Sequence, residues 1–171
     1  MKKKTAHSTQ HTAHSAQTTA LIQGVAVKPL AWIADERGRL IEVLREDDKC
    51  FERFGQVYVT TVYPGVVKGW HYHRRQIDHF ACVVGMIKLV LYDDRPGSPT
   101  TGRINEFFLG VYAPQLITVP ALVWHGFKGV GDTEAVVMNV PNYPYHRREP
   151  DEYRKDPHSA DIPYDWQRKD G

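Results

Sequence analysis

The sequence predicts an all-β fold in which short antiparallel strands form a barrel or a sandwich. Two observations predict this class. Runs rich in Val, Ile, Thr, Tyr and Phe recur from about residue 39 to residue 140. Turn signals made of Pro, Gly and Asp interrupt these runs roughly every 8–12 residues, which is typical of all-β domains.

The predicted strands follow one another with little room for helices. Gly85 separates two apolar runs and predicts a tight turn between paired strands. One short helix is predicted over 46–54, where apolar and charged residues mix without alternation. The strands are predicted at 39–44, 57–63, 77–84, 86–92, 104–111, 115–119, 123–128 and 135–140.

The two ends of the chain differ from this central region. Residues 1–21 are rich in Thr, Ser, Gln and His, and they predict a disordered tail because they offer too little apolar surface to offset the entropy of ordering. Residues 22–171 predict a single domain. From about residue 143 the chain lacks strand periodicity but carries several Tyr and Trp residues, so an irregular segment is expected to wrap the domain.

Composition excludes several classes of partner. A formal net charge of +2 over 171 residues gives no reason to expect nucleic acid or an anionic membrane. No apolar run approaches the ~18 residues of a membrane span, and no apolar signal core follows the first lysines. Cys50 and Cys82 are too few for a disulfide framework. We therefore expect a soluble cytoplasmic protein that binds a small molecule.

Three histidines and one aspartate form the candidate site. His71 and His73 are two residues apart on a predicted strand, so their side chains leave the same face. Asp78 opens the next strand, and His125 lies far downstream in another one. If the strands close into a barrel, these side chains can meet inside it.

The spacing around these residues resembles the first motif of the cupin superfamily. Gly65, His71, His73 and Gly85 occupy the motif positions, and Asp78 stands where the motif has Glu. The second motif is partly kept: Pro120 and His125 match, while Leu122 replaces the usual Gly. The resemblance implies a cupin jelly roll, an antiparallel β-barrel also described as a double-stranded β-helix.

The same residues are candidate metal ligands. Three imidazoles and a carboxylate suit a divalent Fe, Mn, Ni or Zn ion, with His71, His73, Asp78 and His125 as the ligands. Two other interpretations remain open at this point. The histidines can serve as metal-free acid–base or substrate-binding groups, or they can simply hydrogen-bond inside the barrel.

A narrower resemblance covers about residues 24–166. The segments at 35–38, 68–72, 94–102 and 124–127, which include Gly-Ser-Pro-Thr-Thr-Gly, are similar in order and spacing to dTDP-4-dehydrorhamnose 3,5-epimerases. The resemblance implies proton removal next to a C4 ketone, with no cofactor required. It also implies His71 as the base, Asp156 as the carboxylate that orients it, and Tyr145 as a further catalytic group at the sugar.

Substrate contacts follow from the same resemblance. Arg37 matches a substrate-binding arginine whose planar fork suits a diphosphate, and Lys68 replaces another arginine as a point charge. His125, Asn139 and Gln76 are assigned to the walls of the substrate site.

Three departures separate the sequence from that family. His73 stands where a non-ligand is usual, Asp78 where a lysine stabilises the enolate, and Asn139 where a tyrosine acts as acid. Two hypotheses accommodate them. A metal has replaced the lysine, or the enzyme changes one carbon only or moves the ketone as a 3,4-ketoisomerase does.

The sequence thus leads to an epimerase or isomerase that acts on a nucleotide-linked 4-keto-6-deoxyhexose, with dTDP as the expected nucleotide. A metal-dependent cupin of other chemistry (an oxygenase, lyase or sugar isomerase) and a non-catalytic sugar-binding cupin are the alternatives. We also expect a homodimer, because pairing between subunits would cover an exposed edge strand.

Overall fold

A computed structural model describes residues 20–169. Twelve strands run through them, and no helix forms in this range. The strands are β1 Ala26–Pro29, β2 Ile33–Asp35, β3 Gly38–Leu40, β4 Tyr58–Val62, β5 Val67–Tyr72, β6 Asp78–Val84, β7 Met86–Tyr92, β8 Ile104–Gly110, β9 Gln115–Val119, β10 Trp124–Gly129, β11 Ala135–Asn139 and β12 Tyr153–Arg154.

The strands form two five-stranded antiparallel sheets and one small hairpin. The first sheet has the order β1-β9-β6-β11-β4 and the second the order β12-β5-β10-β7-β8. The hairpin consists of β2 and β3. The predicted all-β cupin barrel is confirmed. None of the described residues belongs to a helix capable of crossing a bilayer.

The helix predicted over 46–54 does not form. Instead, Asp48 N and Phe51 N donate to Arg45 O and Asp48 O, which are two successive turns. The Asp48 carboxylate accepts hydrogen bonds from Lys28 Nζ at 2.5 Å and from Arg45 N at 2.8 Å. An aspartate that bonds the nearby backbone in this way competes with helix formation, and this explains the wrong prediction.

The apolar core fills the space between the two sheets. Phe80 and Ile117 from the first sheet pack there with Leu89, Leu91 and Phe127 from the second, and all are buried. In the first sheet, β11 keeps the period of two, since buried residues alternate with more exposed ones along it. The core occupies one part of the interior and leaves space for a cavity in the other.

The two ends of the described chain are anchored to the barrel. The carbonyl of Ala20, inside the predicted 1–21 tail, accepts hydrogen bonds from Arg103 Nη1 and Asn105 Nδ2. The rest of that tail, residues 1–19, lies outside the described residues. At the other end, Trp166 is buried against Trp70 with ring centroids 4.8 Å apart. The C-terminal segment therefore covers the outer face of the second sheet.

Candidate active site

His71 and His125 face each other across two neighbouring strands. They are direct partners in the β5–β10 register, and their ring centroids are 5.9 Å apart. Close approach of the strands beside them depends on two glycines. A Cβ on Gly69 would lie 2.9 Å from Gly126 Cα, so a larger residue there would push the strands apart. The predicted convergence of distant histidines is therefore a consequence of strand pairing.

Asp78 is the centre of a buried polar network. Its Oδ1 accepts hydrogen bonds from Gln76 Nε2 at 2.8 Å and from Asn139 Nδ2 at 2.7 Å. Its Oδ2 lies 3.3 Å from His73 Nε2 and 3.4 Å from His125 Nε2. Because Asp78 is only 1% exposed, these neighbours replace the water that an ionised carboxylate would otherwise hold.

The protonation states in this network follow from burial and pairing. Burial opposes the charge on Asp78, but the hydrogen bond and the charge of His73 outweigh it and lower the pKa of Asp78 to about 2. Burial also opposes the charge on His73, yet its bond to Asp78 raises the pKa of His73. For His125, burial dominates and lowers its pKa to about 3. At neutral pH, Asp78 is therefore ionised and His125 is neutral, and the pairing with Asp78 favours the protonated form of His73.

His71 has a different environment from the other two histidines. A quarter of its side chain is exposed, and its Nε2 lies 3.9 Å from Glu152 Oε1. The same Glu152 oxygen accepts a hydrogen bond from Arg154 Nε at 2.8 Å. Burial lowers the pKa of His71, and the charge of Glu152 opposes this only in part. His71 is thus a neutral, accessible imidazole beside a carboxylate that can stabilise its protonated form.

An open cavity of about 930 Å³ lies between the sheets, and its lining includes His71, His73, His125 and Glu152. A cavity of this size accommodates a sugar and part of a nucleotide. Its apolar wall contains Phe80, which packs against His125 with ring centroids 5.5 Å apart, and Phe127. Its cationic side chains come from several elements: Arg53, Lys68, Arg75, Arg154 and Lys155.

Asp151 holds the loop that links the two sheets beside the site. Its carboxylate accepts hydrogen bonds from the backbone N–H groups of Arg74, Arg75 and Gln76 at 2.8–3.1 Å. Its backbone carbonyl also meets Nδ1 of His73. The C-terminal segment therefore sets the positions of both His73 and Gln76.

Two predicted site residues lie elsewhere. Arg37, predicted to bind substrate, is in the β2–β3 hairpin, where its side chain is 85% exposed, pairs with Asp35 and does not line the cavity of its own chain. Asp156 does not reach His71, because its Oδ1 accepts a hydrogen bond from His158 N at 2.7 Å. Pairing of β12 with β5 places Glu152 beside His71 instead.

The remaining predicted substrate contacts divide into two groups. Lys68, Gln76, His125 and Tyr145 line the cavity, and Lys68 Nζ donates to Thr60 Oγ1 at 2.9 Å. Asn139, also predicted to contact substrate, is fully buried and does not line the cavity. Its side-chain amide instead forms hydrogen bonds with the backbone N–H of His79, the hydroxyl of Tyr58 and the carboxylate of Asp78.

Three of the four predicted metal ligands come together. His73, Asp78 and His125 offer ligand atoms that lie within 4.8 Å of one another. The Nδ1 atoms of both imidazoles meet backbone carbonyls, of Asp151 and Val123 respectively, which leaves both Nε2 atoms toward Asp78. This donor set fits an Fe, Mn, Ni or Zn ion, while His71 stands apart from it. Once His73 is protonated, the same three groups can also satisfy one another's hydrogen bonds and charges without a metal ion.

The sequence analysis missed three residues of the site. Glu152 and Asp151 lie in a segment without periodicity, and no local pattern distinguishes them from neighbouring acidic residues. Tyr58 lines the cavity, and its hydroxyl oxygen accepts a hydrogen bond from Asn139 Nδ2 at 2.9 Å. Alternation along β4 could have indicated it, since Tyr58 and Thr60 are two residues apart and share the inner face.

Comparisons with known proteins agree with this geometry. The family described as polysaccharide biosynthesis C-terminal domain matches residues 33–153. The probable low-salt glycan biosynthesis epimerase Agl13 of Haloferax volcanii is 43% identical over 146 residues, covering 84% of this chain and 89% of that protein. The spore coat polysaccharide biosynthesis protein SpsL of Bacillus subtilis is 35% identical, covering 85% of this chain and 97% of its own length.

A solved structure shows the same fold. A dTDP sugar isomerase from Desulfovibrio desulfuricans G20 superposes with a TM-score of 0.81 at 36% identity, covering 85% of this chain and 92% of the other. The predicted barrel and the predicted resemblance to nucleotide-sugar epimerases and isomerases are confirmed.

Proposed function

Because the chain belongs to the polysaccharide biosynthesis C-terminal domain family, we propose that it is an epimerase or isomerase of a nucleotide-linked 4-keto-6-deoxyhexose. The expected nucleotide is dTDP, in keeping with the dTDP sugar isomerase that shares its fold. The reaction starts when a base removes a proton from a carbon next to the C4 ketone, where the resulting carbanion is stabilised as an enolate.

The observation that carries this proposal is the position of His71. It is a neutral imidazole that opens into a sugar-sized cavity, with Glu152 Oε1 3.9 Å from its Nε2. A neutral imidazole can accept a proton at neutral pH, and the adjacent carboxylate stabilises the imidazolium that forms. We therefore assign His71 as the base and Glu152 as the residue that supports it.

The cationic lining supports a substrate with a diphosphate. Arg53, Lys68 and Arg154 contribute positive charge to one cavity although the whole chain is almost neutral. Guanidinium groups suit phosphate oxygens because they can donate two parallel hydrogen bonds. Tyr145, half exposed at the cavity wall, is proposed to contact the sugar.

The proposed reaction uses side chains of the protein and requires no cofactor. His71 lies outside the group formed by His73, Asp78 and His125, so an ion held there is not needed for proton removal. The alternative of a metal-dependent cupin of other chemistry uses His71 as a ligand, whereas His71 lies outside the group of His73, Asp78 and His125. The alternative of a non-catalytic sugar-binding cupin assigns no role to the His71–Glu152 pair.

Deuterium exchange tests the proposed function. The purified protein is incubated in heavy water with dTDP-4-keto-6-deoxyglucose, and the sugar protons are followed by NMR. We expect deuterium to enter at a carbon next to the ketone, with formation of an epimer or of a sugar with a shifted ketone. Absence of exchange with folded protein, for the dTDP sugar and its UDP and GDP counterparts, would overturn the proposal.

We also propose that the protein acts as a homodimer in the cytoplasm. Strand β4 is the last strand of the first sheet. Its outward side chain Val59 is 56% exposed, and the neighbouring Val57 is 52% exposed. An apolar edge strand of this kind is open to pairing with a second copy. The cytoplasm is the expected location because both cysteines, Cys50 and Cys82, are free thiols.

A further inference from the structure

We propose that Tyr58 is the acid of the reaction, which returns a proton to the sugar on the face opposite to His71. This inference rests on the proposed function and adds to it the second catalytic group. An epimerisation needs two groups on opposite sides of the ring, because a single base would return the proton to the face from which it came.

Tyr58 and His71 belong to different sheets that enclose the same cavity. Tyr58 lies on β4 of the first sheet and His71 on β5 of the second, and both side chains line the same cavity. A sugar ring between the sheets would therefore present one face to the imidazole and the other to the phenol. Placement of the two groups in different sheets suits the opposed arrangement that the reaction needs.

The hydrogen bonds around Asn139 determine the direction in which the phenol donates. Asn139 Oδ1 accepts a hydrogen bond from the backbone N–H of His79 at 3.0 Å, so its NH₂ group must point the other way. That group donates to Asp78 Oδ1 and to the hydroxyl oxygen of Tyr58. Since the Tyr58 oxygen is the acceptor in this bond, its own proton is free to be donated into the cavity.

The same bond stabilises the product of proton transfer. When the phenol donates, its O–H bond breaks, the enolate electron pair forms the new C–H bond, and the negative charge moves to the phenolate oxygen. The N–H of Asn139 then faces that charge. The phenolate recovers a proton from water, and protonated His71 releases one to water, so the reaction consumes and produces no net proton.

The protonation state of Tyr58 agrees with a role as acid. Burial, together with the nearby charge of Asp78, raises the pKa of Tyr58 to about 12, although the bond from Asn139 opposes this in part. The phenol is thus protonated throughout the neutral range. It also remains a stronger acid than a carbon next to a ketone, so transfer to the enolate carbon is downhill.

The other two tyrosines of the cavity are placed differently. The Tyr143 ring lies under the Arg53 guanidinium, 4.3 Å from its centroid. Tyr145 follows the same segment beyond β11, where its backbone N–H donates to Gln56 Oε1. Tyr58 is the one whose hydroxyl is bonded to Asn139 and whose strand partner in the sheet is Asn139 itself.

The test compares Tyr58→Phe with a control, Tyr63→Phe, which removes a hydroxyl from a tyrosine that is 68% exposed and outside the cavity. Substrate conversion and deuterium incorporation are both measured by NMR in heavy water. For Tyr58→Phe we expect conversion to fall about 10²–10⁴-fold. Deuterium should still enter with the original configuration, because His71 can exchange its proton with water and return it to the same face. Tyr63→Phe should match the wild type.

Each result has a distinct meaning. Conversion by Tyr58→Phe at the wild-type rate would overturn the role of Tyr58 while leaving the proposed function intact. Loss of both conversion and exchange in folded Tyr58→Phe would also overturn it, since a second-face acid is not needed for proton removal. Absence of exchange in the wild type would overturn the proposed function and this inference together. Retained exchange also shows that the variant is folded.

Discussion

At the scale of single residues, three histidines in one cavity differ in how deeply they are buried and in how they are paired with Asp78 or Glu152. His73 is bonded to the ionised Asp78, which favours its charged form, whereas His125 is buried and neutral. His71 opens into the cavity beside Glu152. Only His71 combines access to the substrate with a lowered pKa, and this combination is what a general base requires.

Replacing the base should separate chemistry from binding. In His71→Asn, deuterium exchange into the sugar should fall below detection, because an amide cannot accept the proton. Binding of dTDP, measured by calorimetry, should change less than about threefold, a difference of less than ~0.7 kcal/mol. Exchange that persists in this variant would show that another group is the base.

The pH dependence of the reaction should report the state of His71. Its burial lowers its pKa from the ordinary value of 6.5, and the base must be neutral to act. As pH falls, the midpoint of the loss of activity should therefore lie below pH 6.5. The measurement is kcat/KM against pH, which reflects the free enzyme. An acid limb centred above 6.5 would contradict the lowered pKa.

Metal removal should leave the reaction unchanged. His71 is not part of the group that can hold an ion, so proton abstraction should proceed after dialysis against a chelator. We expect the exchange rate to stay within twofold of the untreated protein, with metal content followed by elemental analysis. The protein should carry no affinity tag with histidines. A rate that falls with loss of one ion per chain, and returns with its addition, would contradict this expectation.

At the scale of secondary-structure elements, the C-terminal segment links the outer core to the site. Its strand β12 pairs with β5, next to His71, while Asp151 binds the loop that carries Gln76. Farther along, Trp166 is buried against Trp70, and Nε1 of both indoles donates to Pro157 O. Packing of these aromatic rings therefore holds the carboxylates of the active site in place.

Truncation of this anchor should destabilise the protein. Trp166→Ala removes a large, fully buried side chain and should lower the free energy of unfolding by about 3–5 kcal/mol in urea titrations. Tyr112→Ala, at a position that is 89% exposed, serves as the control and should change it by less than about 0.5 kcal/mol. Equal effects of the two substitutions would show that the segment does not stabilise the barrel.

At the scale of the whole molecule, the edge strand β4 of the first sheet is the proposed interface between two copies. Val59→Lys places a charge on the outer face of β4 and leaves Tyr58 and Thr60 toward the cavity. We expect light scattering to show a dimer for the wild type and a monomer for this variant. Phe108→Lys, on the edge strand of the other sheet, should remain a dimer. The opposite result would place the interface at β8.

Much of the site could be predicted from local patterns. The period of two places His71 and His73 on one face whatever the partners of the strand, and turn residues limit each strand to a short length. The segments that resemble the epimerase family extend the prediction of site residues to His125 and Lys68. These inferences depend on neighbours in the chain, and such relations survive in any fold that keeps the strands.

The sequence by itself therefore determined the all-β class and the shared face of His71 and His73. Only the tertiary structure decided that Glu152 rather than Asp156 meets His71, that Arg37 lies outside the cavity of its own chain, and that Tyr58 meets Asn139. The reason is register. Tyr58 and Asn139 are 81 positions apart, and they become neighbours because β4 pairs with β11 in one alignment. A shift by one residue would reverse every inward side chain of β4, and no local pattern specifies that alignment.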